Sequence, residues 1–72
     1  MEFKSLEFKL KQEFIELYKL LKHLGLCENG GAAKFVISEG QVKVDGEVET
    51  RKAFKVRAGH TVEFKGERIS VQ

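Results

Sequence analysis

Seventy-two residues suffice for one small domain and leave little room for a deep catalytic pocket, because a chain this short buries only about 60% of its unfolded surface. Hydrophobic residues make up 42% and charged residues 33%, which is too apolar for a disordered chain, and the net charge of +2 does not by itself argue for nucleic acid. Cys27 is the single cysteine, which excludes an intramolecular disulfide, and no apolar run approaches the roughly 18 residues of a membrane span, so a reducing cytoplasm is the expected location.

Leu6, Phe8 and Leu10 alternate with charged residues, as in a strand with one buried face. Lys4, Lys9 and Lys11 would blunt such a strand at a sheet edge. Phe14, Leu17, Leu20, Leu21 and Leu24 then fall at helical spacing, with Gly25 as the stop. The start of that helix is ambiguous, since Phe14-Ile15-Glu16-Leu17 reads equally as the end of a strand. Asn29 is a good N-cap for a second short helix, whose apolar face is Ala33, Val36 and Ile37 and whose stop is Gly40. Leu26-Cys27-Glu28 leaves so short a connection that the two helices must pack as a pair.

Beyond Gly40 the pattern is β. Val42 and Val44 flank Lys43, and Asp45-Gly46 is a two-residue hairpin signal because both tolerate positive φ; Val48 starts the return strand. Ala58-Gly59-His60 and Lys65-Gly66 mark further turns, between which Val62 with Phe64, and then Ile69 with Val71, alternate with polar residues. The expected architecture is α+β: an N-terminal strand, two short packed helices, then a small antiparallel sheet of short strands. We expect a single domain over residues 1–72, with an N-terminal strand extension at 1–13, the helical pair at 14–40 and β hairpins at 41–72.

Catalysis finds little support. His23 and His60 have no Cys, Asp or Glu at a metal-ligand spacing, and Ser5, Ser38 and Ser70 sit in no nucleophile motif, so no cofactor or metal is expected and no enzymatic role. Cys27 reads as a small, partly buried apolar residue. The distribution of charge says more. Residues 1–31 carry five Lys and five Glu, whereas 32–72 carry eight basic and six acidic side chains, and Arg51 to Arg57 reads R-K-A-F-K-V-R with four cations and no anion. Such a run creates a local positive field on a nearly neutral molecule.

Lys34 lies off the apolar face of the second helix, Lys43 alternates outward from its strand, and Arg51, Lys52, Lys55 and Arg57 follow the hairpin. Folded together, these cations would form one anion-attracting surface. Gly30-Gly31 costs about 1 kcal/mol per residue relative to Ala in a helix. Two explanations are open: close approach of the first helix, where a Cβ would clash, or backbone N–H groups left free to meet a phosphate. Phe35 and Phe54 lie among the cations, but both are expected as core or sheet residues rather than stacking platforms.

The order of these motifs resembles the S4-type RNA-binding domain, also called the αL motif, over about Leu17 to Phe64. The matching residues are Leu20-Leu21 and Leu24-Gly25-Leu26 on the first helix and its turn, Ala33, Val36-Ile37 and Gly40 on the second, the hairpin Gln41-Val42-Lys43-Val44-Asp45-Gly46, and Val56 and Gly59 beyond it. Gly30-Gly31-Ala32-Ala33-Lys34 and Glu49-Thr50-Arg51-Lys52 are closest to the small free-standing bacterial proteins of this class. The resemblance implies a face built from the helical pair and hairpin that binds structured RNA, ribosomal or transfer RNA, through Lys34, Lys43, Arg51 and Lys52, with Lys55 and Arg57 extending it by composition and Gly30 and Gly31 letting backbone approach. Two departures stand out: Glu16-Leu17-Tyr18 where many members have Arg-Leu-Asp, and Asn29-Gly30 where many have Ser-Arg. A monomer without a membrane partner is expected. The many Glu residues keep open an alternative, a protein–protein interaction or ribosome-assembly adaptor domain without direct RNA contact, whose cationic face meets an acidic protein.

Overall fold

The computed structural model describes residues 3–72, so the first two residues of the expected N-terminal extension lie outside the described residues. The elements run β1 (Lys4–Phe8), β2 (Ile15–Glu16), α1 (Leu17–His23), α2 (Gly30–Ser38), β3 (Lys43–Val44), β4 (Glu47–Val48), β5 (Lys55–Val56), β6 (Thr61–Phe64) and β7 (Glu67–Val71). Five strands form one sheet in the order β1-β7-β6-β3-β4, and β2 pairs separately with β5.

Side-chain alternation fixes which face of the larger sheet is covered. The register places Leu6, Ile69, Val62 and Val44 in one row across four strands, and the last three are buried. The adjacent row, Ser5, Arg68, Glu63 and Lys43, faces outward and holds an Arg68–Glu63 ion pair at 3.1 Å. The helices join the apolar row through Leu17, Leu20, Leu21, Ala33 and Ile37, all fully buried. Each such Leu or Ile contributes about 1.5–3 kcal/mol by leaving water.

Turn chemistry closes the hairpins as expected. Asp45 and Gly46 both take positive φ, 52° and 85°, and the Asp45 carboxylate accepts the Thr61 N–H at 2.9 Å, tying the β3–β4 turn to β6. Lys65 and Gly66 make the same turn between β6 and β7. The ambiguity at the first helix resolves into both readings in succession, with β2 at Ile15–Glu16 and α1 from Leu17. The α1–α2 connection turns at Gly25, where φ is +76° and the N–H groups of Gly25 and Leu26 reach back to the Lys22 and Leu21 carbonyls. Asn29 caps α2, its side-chain oxygen accepting the Ala32 N–H at 2.8 Å. Cys27 is half-buried, and that burial raises its thiol pKa.

The sheet departs from a purely antiparallel one at its edge. β1 runs parallel to β7, from Lys4 opposite Glu67 to Phe8 opposite Val71, and the ladder extends through Leu10 N–H to the Gln72 carbonyl at 2.7 Å. Parallel neighbours need a long crossover, and here the rest of the molecule supplies it. No helix among the described residues is long and apolar enough to cross a membrane.

Candidate nucleic-acid interface

The cation run at 51–57 is held against α1 by backbone chemistry. The first N–H groups of a helix have no partner inside it, and the Glu16 side chain does not cap α1. The loop does so instead: Leu17 N–H donates to the Phe54 carbonyl at 2.9 Å and Tyr18 N–H to the Lys52 carbonyl at 3.1 Å. The β2–β5 pair continues the seam, with Glu16 opposite Lys55 and Ile15 opposite Val56. Val56 is buried, so its neighbours Lys55 and Arg57 both face out.

Tyr18 joins this segment to α2. Its amide holds Lys52, while the Lys34 ammonium lies 4.6 Å from the centroid of its ring. A second aromatic serves the other end: Lys55 and Arg57 sit 5.1 and 5.5 Å from the centroid of Phe14. Such contacts hold a cation over a ring face without neutralising it. Tyr18 thus meets exposed Lys34 with its ring and the backbone of the 51–57 run with its amide.

Among the described residues the ion pairs engage Lys19 with Glu16 at 2.9 Å, Arg51 with Glu49 at 2.8 Å, and Arg68 with Glu63. The Lys19 ammonium is correspondingly shifted up by the hydrogen bond to Glu16. Lys34, Lys52, Lys55 and Arg57 enter none of these pairs. Thr50 through Lys55, with Arg57, lines an open groove of about 680 Å³. Unpaired cations around a groove too open to sequester a small substrate suit a polyanion's phosphates.

Lys43 stands in a different setting. Its strand turns it to the outward row beside Glu63, opposite Val48 on β4. Gly30 and Gly31 open α2 beside Tyr18, but the expected clash is absent. A Cβ on Gly30 would meet the Tyr18 ring carbons at 3.6 Å and one on Gly31 the Asn29 side-chain oxygen at 3.4 Å, both within ordinary contact. Neither glycine takes a positive φ. Close approach of α1 therefore does not explain the pair.

Phe35, expected in the core, is 61% exposed on α2 next to Lys34. It lies two positions from buried Ala33 and from buried Ile37, which turns it away from the apolar face. Phe54 is half-buried and stacks on His60, ring centroids 5.6 Å apart. Sequence reasoning missed Tyr18 and Phe14 as supports for cations. Their four-residue spacing was visible, but no rule links it to a loop so distant in sequence.

These observations define a protein of the S4 class: two packed helices over a small sheet, with the cations gathered at the helical pair. A family model of the S4 domain matches residues 8–72, and the chain belongs to that family. It is 54% identical over 61 residues to YbcJ of Escherichia coli (strain K12), named as a candidate RNA-binding protein, covering 85% of this chain and 87% of that one. It is 37% identical over 54 residues to RlbA of Bacillus subtilis (strain 168), named as a candidate ribosome maturation protein, covering 75% and 76% respectively. The solution structure of E. coli YbcJ, described as revealing an αL motif involved in RNA-binding, superposes with a TM-score of 0.69 at 53% identity over 90% of this chain and 84% of that one.

Proposed function

We propose that this protein binds structured RNA, ribosomal or transfer RNA, as a non-enzymatic, monomeric, cytoplasmic single-domain module. What supports the reading is the set of cations Lys34, Lys52, Lys55 and Arg57 outside the ion pairs, with Lys34 over the Tyr18 ring, Lys55 and Arg57 over the Phe14 ring, and the Lys52 backbone held by the Tyr18 amide. These side chains take phosphates, and the backbone N–H groups at Gly30 and Gly31, with no side chain in the way, approach one more. Lys43 contributes from the flanking hairpin. The name of the B. subtilis relative favours ribosomal RNA over transfer RNA.

Recognition is of shape and phosphate position, because few base-reading side chains border the groove. The test is a filter-binding series against ribosomal and transfer RNA at graded salt. Replacing Lys34, Lys52 and Lys55 together by Ala should flatten the log-log salt slope by about 0.7–0.9 per lost contact, roughly two to three units in all. An unchanged slope would remove this face as the binding site.

A further inference from the structure

Arg51 belongs to the cation run but is held quite differently from its neighbours. Its backbone N–H, Nε and Nη2 all donate to the Glu49 carboxylate, at 3.0, 2.8 and 3.1 Å. A guanidinium bound through two donors to one carboxylate has its plane fixed, and that carboxylate cancels much of the charge a phosphate would feel. The ring of Phe54 backs the group, its centroid 5.1 Å from Cζ, and His60 stacks on Phe54 in turn with 28° between the rings. Yet 73% of the Arg51 side chain remains exposed.

We propose that Arg51 is a stacking plate for an unpaired nucleobase, with the flanking phosphates on Lys52, Lys55 and Arg57. This rests on the RNA reading and deepens it. A phosphate contact needs net charge and freely aimed donors; here the counter-ion is built in and two donors are spent. Stacking needs a flat group, weakly hydrated and already ordered, and a guanidinium clamped by Glu49 over an aromatic pair is all three. A base inside a helix is already stacked between its neighbours, so the ligand class is a base in a bulge, a loop or a frayed end. The open groove beside Arg51 gives such a base room to enter.

The test uses two RNA hairpins, one fully paired and one with a single bulged 2-aminopurine, and the wild-type, Arg51→Lys and Arg51→Ala proteins. The wild type should change the 2-aminopurine fluorescence and favour the bulged hairpin by about tenfold, within the range of a base stacked on a side chain. Both variants should lose that preference with the salt slope unchanged, since Lys keeps the charge and lacks the plane. A wild type indifferent to the bulge overturns the stacking. So does Arg51→Ala weakening both hairpins equally with a slope lower by about 0.7–0.9 while Arg51→Lys restores it; Arg51 is then a phosphate contact and the RNA reading stands. Wild type that binds neither hairpin, nor ribosomal nor transfer RNA, overturns the RNA reading and the stacking with it.

Discussion

Gly30→Ala should stabilise the fold and weaken RNA binding at once. Gly30 is the first residue of α2, takes no positive φ, and is only half-exposed. A methyl group there would rest on the Tyr18 ring edge at 3.6 Å, an ordinary contact that displaces nothing. Replacing glycine by alanine in a helix is worth about 0.5–1 kcal/mol, chiefly by restricting the unfolded chain. For a domain of this size that raises the melting temperature by about 2–8 °C. The same methyl would stand over the amides that open α2 and push a bound phosphate outward, so affinity for RNA should fall about ten- to a hundredfold, the cost of losing one hydrogen bond to a charged group. Calorimetry gives the first quantity and filter binding the second. A lower melting temperature would refute the packing argument. A higher one with unaltered affinity would show that the paired glycines do not face RNA.

Asn29→Ala removes the side chain that accepts the Ala32 N–H and should cost about 1 kcal/mol in urea unfolding, with no change in the denaturant slope. Leu20→Ala empties a fully buried site between the helices and the sheet and should cost about 2–5 kcal/mol, enough to leave much of so small a domain unfolded at 37 °C by circular dichroism. The hydrogen bond from the Arg51 side chain holds the Glu49 carboxyl below its ordinary pKa. Its stabilisation is therefore complete above the usual carboxylate range and disappears as the pH falls through the depressed value, so wild type and Glu49→Gln should differ in unfolding midpoint at neutral pH and converge in acid. Lys43→Ala should lower the RNA salt slope less than Lys52→Ala, because Lys43 faces outward beside the carboxylate-bearing Glu63.

Local rules carried most of the fold. Asp45-Gly46 and Lys65-Gly66 announced their hairpins because positive φ is a property of a few residue types, and Leu6 and Phe8 announced a strand because one face of it is covered. The Gly25 and Gly40 stops were legible through positive φ too, and the Asn29 cap because its side-chain oxygen can accept an amide of the first turn. The rest depends on partners distant in sequence. β2 is two residues long and exists because β5 lies alongside, so no period could reveal it. The parallel course of β1 is set by where the chain returns, not by its own residues. At the candidate site the cations were readable as a run, whereas the means of gathering them were not. Capping of α1 by the Lys52 and Phe54 carbonyls is a backbone event without a side-chain signature, and Tyr18 reads in sequence only as one more half-buried aromatic. Phe35 was misjudged by residue type although its helical position turns it outward.

The pairing of Lys4–Phe8 with Glu67–Val71 also sets an order of events during synthesis. β1 has no ladder partner among the described residues until Glu67–Val71 has followed it out of the ribosome. Through that interval Leu6 and Phe8 wait uncovered, and the helices must fold over a sheet not yet closed at one margin. That edge of the sheet therefore closes late, governed by the long loop between β1 and β7.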